Sequence, residues 1–560
     1  MTQCTRRNFV KTLAWASAVG VLYAGLSGCS GSAGNSAGSS NSGAESSGSA
    51  GGGANKDSVI IAMNTGSEPS AGFDPCIAWG CGEHVHEPLI QSTLITTNEN
   101  LEFENDLATS YECSEDGMLW TFTIRNDVQF SDGQPLTAAD VAFTINTINA
   151  SAKAQADLSS VQTAVATSDT TVELHMVKPN NALLYTLAVL GIVPEHAYSS
   201  NYGSAPVGSG RYVLEQWDKG QQVIFTANPN YYGEAPLMKR VTVVFMEEDA
   251  ALAAAQSGQV DIAFTSATLS NAQVSGYELF TCSTVDSRGI SLPTLPAGSP
   301  MREGMDGETH PVGNDVTCDI AVRRAMNYAV DRTAMIQNVL NGYGNAAYSV
   351  GDGMPWSSDD MKVETNAQTA RQLLEDAGWQ VGSDGIREKN GVRAAFELLY
   401  AAGDSVRQAI AYEFANQMKE LGIEVTPKGG DWDTDLYPHQ FDTPILWGWG
   451  SNSPVELYEL NYSSGWGNVA AYDSATVDAH FDAALAATAI EDSYAEYQKA
   501  QWDAEAGDGI APCGAATWVW LVNVDHLYFK RPELQVAAQK PHPHGHGWSL
   551  ANNVDRWTWK

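Results

Sequence analysis

The stretch "AAFELLYAAGDSVRQAIAYEFANQMKELGIEVTP", residues 394–427, reads as strand, helix, strand. "AAFELLY" is a short apolar run with strand character. From Ser405 to Leu421, Ile410, Phe414, Met418 and Leu421 recur at helical spacing, and "IEVTP" supplies the next strand. Two strands joined by a helix of this length require a right-handed crossover and pair in parallel, which places the segment in an α/β lobe. The following strand, "FDTPILW", runs into Gly448-Trp449-Gly450-Ser451-Asn452. Ligands of open α/β sheets sit beyond the carboxyl ends of strands, so Trp447, Trp449, Ser451 and Asn452 are candidate cleft residues.

The same reading extends outward in both directions. "MLWTFTIRNDVQF" alternates, with Trp120, Phe122 and Ile124 on one face of a half-buried strand. Asp132-Gly133 predicts a turn, and Thr137 with Asp140 predicts a capping-box start for a helix carrying Val141, Phe143 and Ile148. "TTVELHMV" is a further strand. A single helix is expected from about Asp319 to Asn341, stopped by Gly342.

The chain has 560 residues, 43% of them hydrophobic, with 16 Trp and 21 Tyr, enough for two or three lobes with real cores. Its 66 acidic against 30 basic residues leave a formal charge of −36, which repels phosphate backbones and excludes nucleic acid as a partner. Arg6-Arg7 with Phe9 and Lys11, followed by an apolar run, resembles a twin-arginine export signal over residues 1–28. Leu26-Ser27-Gly28-Cys29 resembles a lipobox, which makes Cys29 the expected lipid attachment site. Residues 29–56 then form a Gly/Ser-rich tether.

Of eight cysteines, Cys4 leaves with the signal and Cys29 carries lipid, so six remain in an oxidising compartment. Cys76 and Cys81 are close enough in sequence to be the disulfide candidate. Zinc binding by Cys76, Cys81 and His84 is the lesser alternative, because no second cysteine pair accompanies them.

Several long segments, in order, resemble one family. They are "YECSEDGMLWTFTIRNDVQFSDGQPLTAADV" (111–141), "PVGSGRYVLEQWDKGQQVIFTANPNYYGEAPLMKRVTV" (206–243), "SGQVDI", "AVRRAMNYAVDR", "ARQLLEDAGW" and "MKELGIEV". Together they resemble the extracellular solute-binding proteins of the peptide/nickel type, family 5, which deliver ligands to ABC importers. The resemblance implies a two-lobed α/β fold of the periplasmic-binding-protein kind (class II, large cluster) with a hinge and an inserted subdomain. It places lobe I in 57–98, 206–291 and 519–560, the inserted subdomain in 99–205 and lobe II in 292–518. It also implies a monomer that captures an oligopeptide or peptide-like solute and passes it to permease subunits from the outer face of the cell membrane.

Alternatives are a nickel or other metal-chelate carrier and a peptide-signal receptor lipoprotein. No resident cofactor is expected; a metal would enter only with the ligand. No catalytic constellation is present: Gly208-Ser209-Gly210 is not a nucleophile elbow, His84 begins no H-E-x-x-H, and there is no phosphate loop.

Peptide-binding relatives commonly hold the ligand's amino terminus with an acid in the loop after the Trp-containing strand. Here that loop, Gly450 to Pro454, is neutral, so it is expected to hydrogen-bond peptide backbone without pairing with an ammonium. Chelate-binding relatives offer arginines, which "FTINTIN" and "LAVLGIVPEH" lack. The cleft segment "CIAWGCGEHVHEPLIQSTLI" adds Trp79, Glu83, His84 and His86 as candidates, and "HPHGHG" near the C-terminus adds His544 and His546. His84 or His86 with His544 or His546 would form a composite metal site if the two segments meet in lobe I.

Overall fold

The computed structural model describes residues 56–78, 80–81, 84–545 and 547–560; for residues 80, 81, 84 and 85 it describes the backbone only. The expected signal, Cys29 and nearly all of the tether lie outside the described residues, as do Trp79, Glu83 and His546.

Two large sheets form the two lobes. The first has the order Tyr212–Asp218, Gln222–Ala227, Arg240–Phe245, Ser58–Met63, Ile262–Thr265, His526–Lys530 and Glu278–Cys282. Ser58–Met63 lies parallel to both neighbours and is apolar on both faces, as a central strand must be. The second sheet runs Gly344–Ala346, Trp518–Val524, Ser287–Ser291, Ile445–Trp449, Ala395–Ala401 and Glu424–Gly430.

The expected strand–helix–strand unit is present in the second lobe. Ala395–Ala401 pairs in parallel with Glu424–Gly430 around the helix Ser405–Leu421, which is capped by Asp404 and ended by left-handed Gly422. One face of this sheet packs on helices through Leu398, Phe414, Met418 and Leu446. The other carries an aromatic core that includes Trp447, Trp518, Trp520 and Phe481.

Strands Ala108–Cys113, Leu119–Ile124, Thr171–Met176 and Val161–Ser168 form the sheet of the inserted subdomain, covered by the helix Ala138–Ala150. The capping box is made as expected. Asp140 is buried and accepts from the Thr137 amide at 2.9 Å, and also from the Glu195 amide at 3.0 Å.

Three expectations need correction. Ser287–Ser291 and Trp518–Val524 both belong to the second sheet, so the crossings between lobes lie at 283–286 and at Asp525, not at 291 and 518. The single helix expected from Asp319 to Asn341 is two, Ile320–Ala329 and Arg332–Val339. Val330 is extended, and the Asp331 side chain accepts from the Ala334 amide to start a new helix. Cys76 is a buried free thiol, as the other described cysteines Cys113, Cys282, Cys318 and Cys513 are also free. Cys76 therefore shows no bond to its candidate partner Cys81, whose side chain lies outside the described residues.

Besides the crossings, a clasp joins subdomain to second lobe. Asn181 donates through its side chain to the carbonyls of Ala484 and Ala487, both at 3.0 Å, and through its amide to Leu485 at 3.1 Å. These carbonyls lie at the C-terminal end of the helix Ala475–Ala486 and its cap Ala487, where main-chain acceptors run short of helical donors.

Asp140→Ala removes a buried acceptor for two amides. It is expected to lower unfolding free energy by about 2 kcal/mol in urea titration.

Candidate functional site: the cavity between the lobes

Trp447 and Trp449 stand two residues apart on the strand Ile445–Trp449, so they share one face of the sheet and stack with ring centroids 5.9 Å apart; their positions along the strand give them different surroundings. Trp447 is buried in the core and donates to Ser291 Oγ at 2.9 Å, so it is a packing residue. Trp449 lines a cavity of about 260 Å³ between the lobes, edge-on to Trp466 with ring centroids 5.8 Å apart. Its indole Nε1 is buried and has no hydrogen-bond partner among the described residues.

Beyond Trp449 the chain must turn sharply. Gly450 has φ +145°, and a Cβ there would sit 1.7 Å from the Val285 carbonyl. Its amide donates to Glu456 Oε2 at 2.7 Å, which draws the first turn of the helix Val455–Asn461 against the cavity.

Ser451 and Asn452 line the same wall. Asn452 donates to the Pro541 carbonyl at 2.9 Å, while its Oδ1 is buried without a partner among the described residues. The opposite wall is first-lobe and subdomain structure and includes His86, Tyr185, His544 and Ser549. Of the sequence candidates, His86, Trp449, Ser451, Asn452 and His544 thus meet at one cavity. His84 pairs through its backbone with Cys81, and its side chain is outside the described residues.

The candidates missed in the sequence are acids. Glu456 and Glu459 stand three residues apart on the helix after the neutral loop, Asp157 faces them from the subdomain, and all three line the cavity. The loop itself is neutral, but the next helix delivers the carboxylates. Reading one helical turn past Pro454 would have found them.

His544 links the cavity to a buried charge cluster at the crossings. Its Nδ1–H donates to Asp286 at 2.5 Å, and its amide to the Gly450 carbonyl at 2.7 Å. Asp286 also accepts from His526 Nε2 at 3.0 Å and pairs with Arg288. His526 in turn meets His542 at 3.1 Å. Arg407, paired with Asp404 at 3.1 Å, approaches from the second lobe. Gly448 makes the convergence possible, because a Cβ there would lie 2.3 Å from His544 and 2.5 Å from Arg407.

Burial alone would raise the Asp286 carboxyl, but the charge of Arg288 and the hydrogen bonds from His526 and His544 hold it well below the usual carboxylate range. Burial dominates for the histidines. It lowers His542 well below the ordinary imidazole value and His544 to about 4, against the pull of Asp286.

Among the described residues no group of three or more His, Cys, Asp or Glu is arranged to hold a metal ion. Two parts of the composite site, His546 and the His84 side chain, are outside that set.

A ligand-sized cavity walled by both lobes, beside a two-strand crossing, is the geometry of a closing binder. Residues 102–469 match the family model described as bacterial extracellular solute-binding proteins, family 5 middle. The chain belongs to the family 5 extracellular solute-binding proteins.

Among curated relatives of this family 5 protein, Protein XP55 of Streptomyces lividans is 32% identical over 84% of both chains. The oligopeptide-binding protein AppA of Bacillus subtilis is 28% identical over 68% of this chain and 71% of its own. The nickel-binding periplasmic protein of Escherichia coli is 28% identical over 60% and 64%. Two solved structures share the two-lobed fold at 22% identity, each over 90% of this chain and 99% of its own. They are NikZ from Campylobacter jejuni in complex with Ni(L-His), TM-score 0.72, and Bacillus subtilis AppA with a nonapeptide, TM-score 0.67.

Because His544 is held neutral when folded, the unfolded chain takes up its proton near the ordinary value of 6.5, while the folded chain resists to about 4. Stability is therefore full above pH 6.5 and falls as pH drops toward 4, by up to ~3 kcal/mol from this residue, with His542 adding in the same direction. Urea titrations between pH 7 and 4.5 should show the decline, and His544→Gln should flatten part of it. A flat wild-type profile would contradict this account.

Proposed function

We propose that this family 5 protein captures peptides by their amino-terminal end and presents them to the permease of an ABC importer. One observation carries the reading: the cavity offers a cluster of carboxylates together with one buried unpaired donor, Trp449 Nε1, and one buried unpaired acceptor, Asn452 Oδ1. A peptide terminus supplies the complements, an ammonium for the acids and a backbone carbonyl and amide for the other two. Unpaired buried polar atoms each cost about 1–3 kcal/mol, so a ligand that satisfies both gains accordingly. Glu459 is the principal ammonium anchor in this reading, being buried at 9% exposure. The relative named for oligopeptide binding and the structure with a nonapeptide support the same ligand class.

A metal-chelate ligand is the second reading, favoured by His86 and His544 in the cavity wall. The wall carries no Lys or Arg among the described residues, which suits a cationic group better than an anionic chelator.

In this proposal the protein is a monomer held at the outer face of the membrane by lipid on Cys29, consistent with the lipobox-like Leu26-Ser27-Gly28-Cys29. No helix among the described residues is long and apolar enough to cross a membrane.

Calorimetry on the body from Asp57 should show tighter binding of short peptides with free amino termini than of their acetylated forms. Glu459→Gln should weaken the free form about tenfold or more and leave the acetylated form little changed. Tighter binding of Ni(L-His) than of any peptide would replace this reading with the chelate one. Separately, Cys29→Ser should move the protein from the membrane pellet to the soluble fraction on cell fractionation.

A further inference from the structure

Tyr185 lines both the inner cavity and a second, larger chamber. That outer chamber, about 910 Å³, lies between the inserted subdomain and the second lobe. Its aromatic wall is continuous across the gap: Phe103 meets Tyr185 at 4.9 Å, Tyr185 meets Trp356 at 5.8 Å, and Trp356 meets Tyr494 at 6.2 Å between ring centroids. Trp120, 4% exposed, also lines it, and its indole N–H has no hydrogen-bond partner among the described residues.

The charges on this wall have one sign. Glu99, Glu102, Glu112 and Glu491 face the chamber, and no Lys, Arg or His does among the described residues. Glu99 is engaged by Arg556 at 3.0 Å, and the Glu102 carboxylate accepts from the Asn98 side-chain Nδ2 at 2.7 Å. Glu112 and Glu491 are exposed on opposite sides, one from the subdomain and one from the second lobe. The faces of aromatic rings carry negative quadrupole and attract cations, so acids and rings here favour the same kind of group. The unpaired Trp120 N–H adds a requirement that a bare cation does not meet, namely an acceptor such as a peptide carbonyl.

We infer that the preferred ligands are basic oligopeptides, whose first residues occupy the inner cavity and whose lysine or arginine side chains lie among the rings and carboxylates of the outer chamber. This rests on the peptide-capture reading above and adds to it the charge of the ligand and a use for the outer chamber. Exposed ion pairs are individually weak, but a cleft lined by one sign of charge focuses its field, so the preference grows with the number of basic residues and shrinks with salt.

The test uses calorimetry on the whole mature chain with three hexapeptides that differ only in central residues, basic, neutral or acidic. The expected result is affinity for the basic peptide about tenfold above the neutral one at low salt, and lowest affinity for the acidic one. Glu112→Gln with Glu491→Gln, both exposed and so compatible with folding, should narrow the gap between basic and neutral peptides about threefold to fivefold. Equal affinity for all three peptides, or a basic preference that survives the double substitution unchanged, would overturn the inference and leave peptide capture standing. Failure of every peptide to bind would remove both.

Discussion

Asp286 is a fully buried carboxylate on the first of two crossings, and burying such a charge costs several kcal/mol unless it is paired. Its partners come from separate parts of the chain. Arg288 lies on the second-lobe strand Ser287–Ser291, His526 opens the first-lobe strand directly after the return crossing, and His544 belongs to the C-terminal segment. One charge therefore ties together both crossings and the tail. The cavity depends on this tie, since His544 is at once a partner of Asp286 and part of the cavity wall. Gly448 and Gly450 belong to the same constraint, because side chains there would collide with the cluster or with the crossing backbone.

Two kinds of recognition follow from how the walls are built. The inner cavity is the smaller one, with acids from both sides and two unpaired hydrogen-bonding atoms, Trp449 Nε1 and Asn452 Oδ1, in its wall. The outer chamber is larger, aromatic and rimmed by exposed carboxylates. Buried groups of the first kind discriminate by geometry, because a ligand that leaves them unsatisfied is penalised. Exposed groups of the second kind discriminate by net charge and tolerate variation in sequence.

Much of the architecture was legible because it obeys a single period. The helix Ser405–Leu421, the strands around it and the capping box at Thr137 each depend on neighbours a few residues away. The boundaries between lobes were not, because Ser287–Ser291 and Trp518–Val524 are buried strands like those on either side of them, and periodicity does not report which sheet a strand joins. Val330-Asp331 shows the same limit locally: a run apolar enough for one helix contains an aspartate that caps a second. At the site, Trp449, Asn452, His86 and His544 were identifiable as residue types suited to a cleft. That Trp447 is covered by the core while Trp449, on the same face two residues further along, reaches the cavity, and that Glu456 and Glu459 replace an acid missing from the loop, depends on strand and helix placement in three dimensions.

The Asn181 clasp holds the subdomain to the second lobe through three main-chain carbonyls at a helix end. A main-chain handle is indifferent to which side chains the helix displays. Residues facing the cavity and outer chamber can therefore be exchanged over evolutionary time while the fastening persists. In this chain the fastening and the ligand-facing surfaces are thus separable, and a change of cargo would leave the mechanical frame intact.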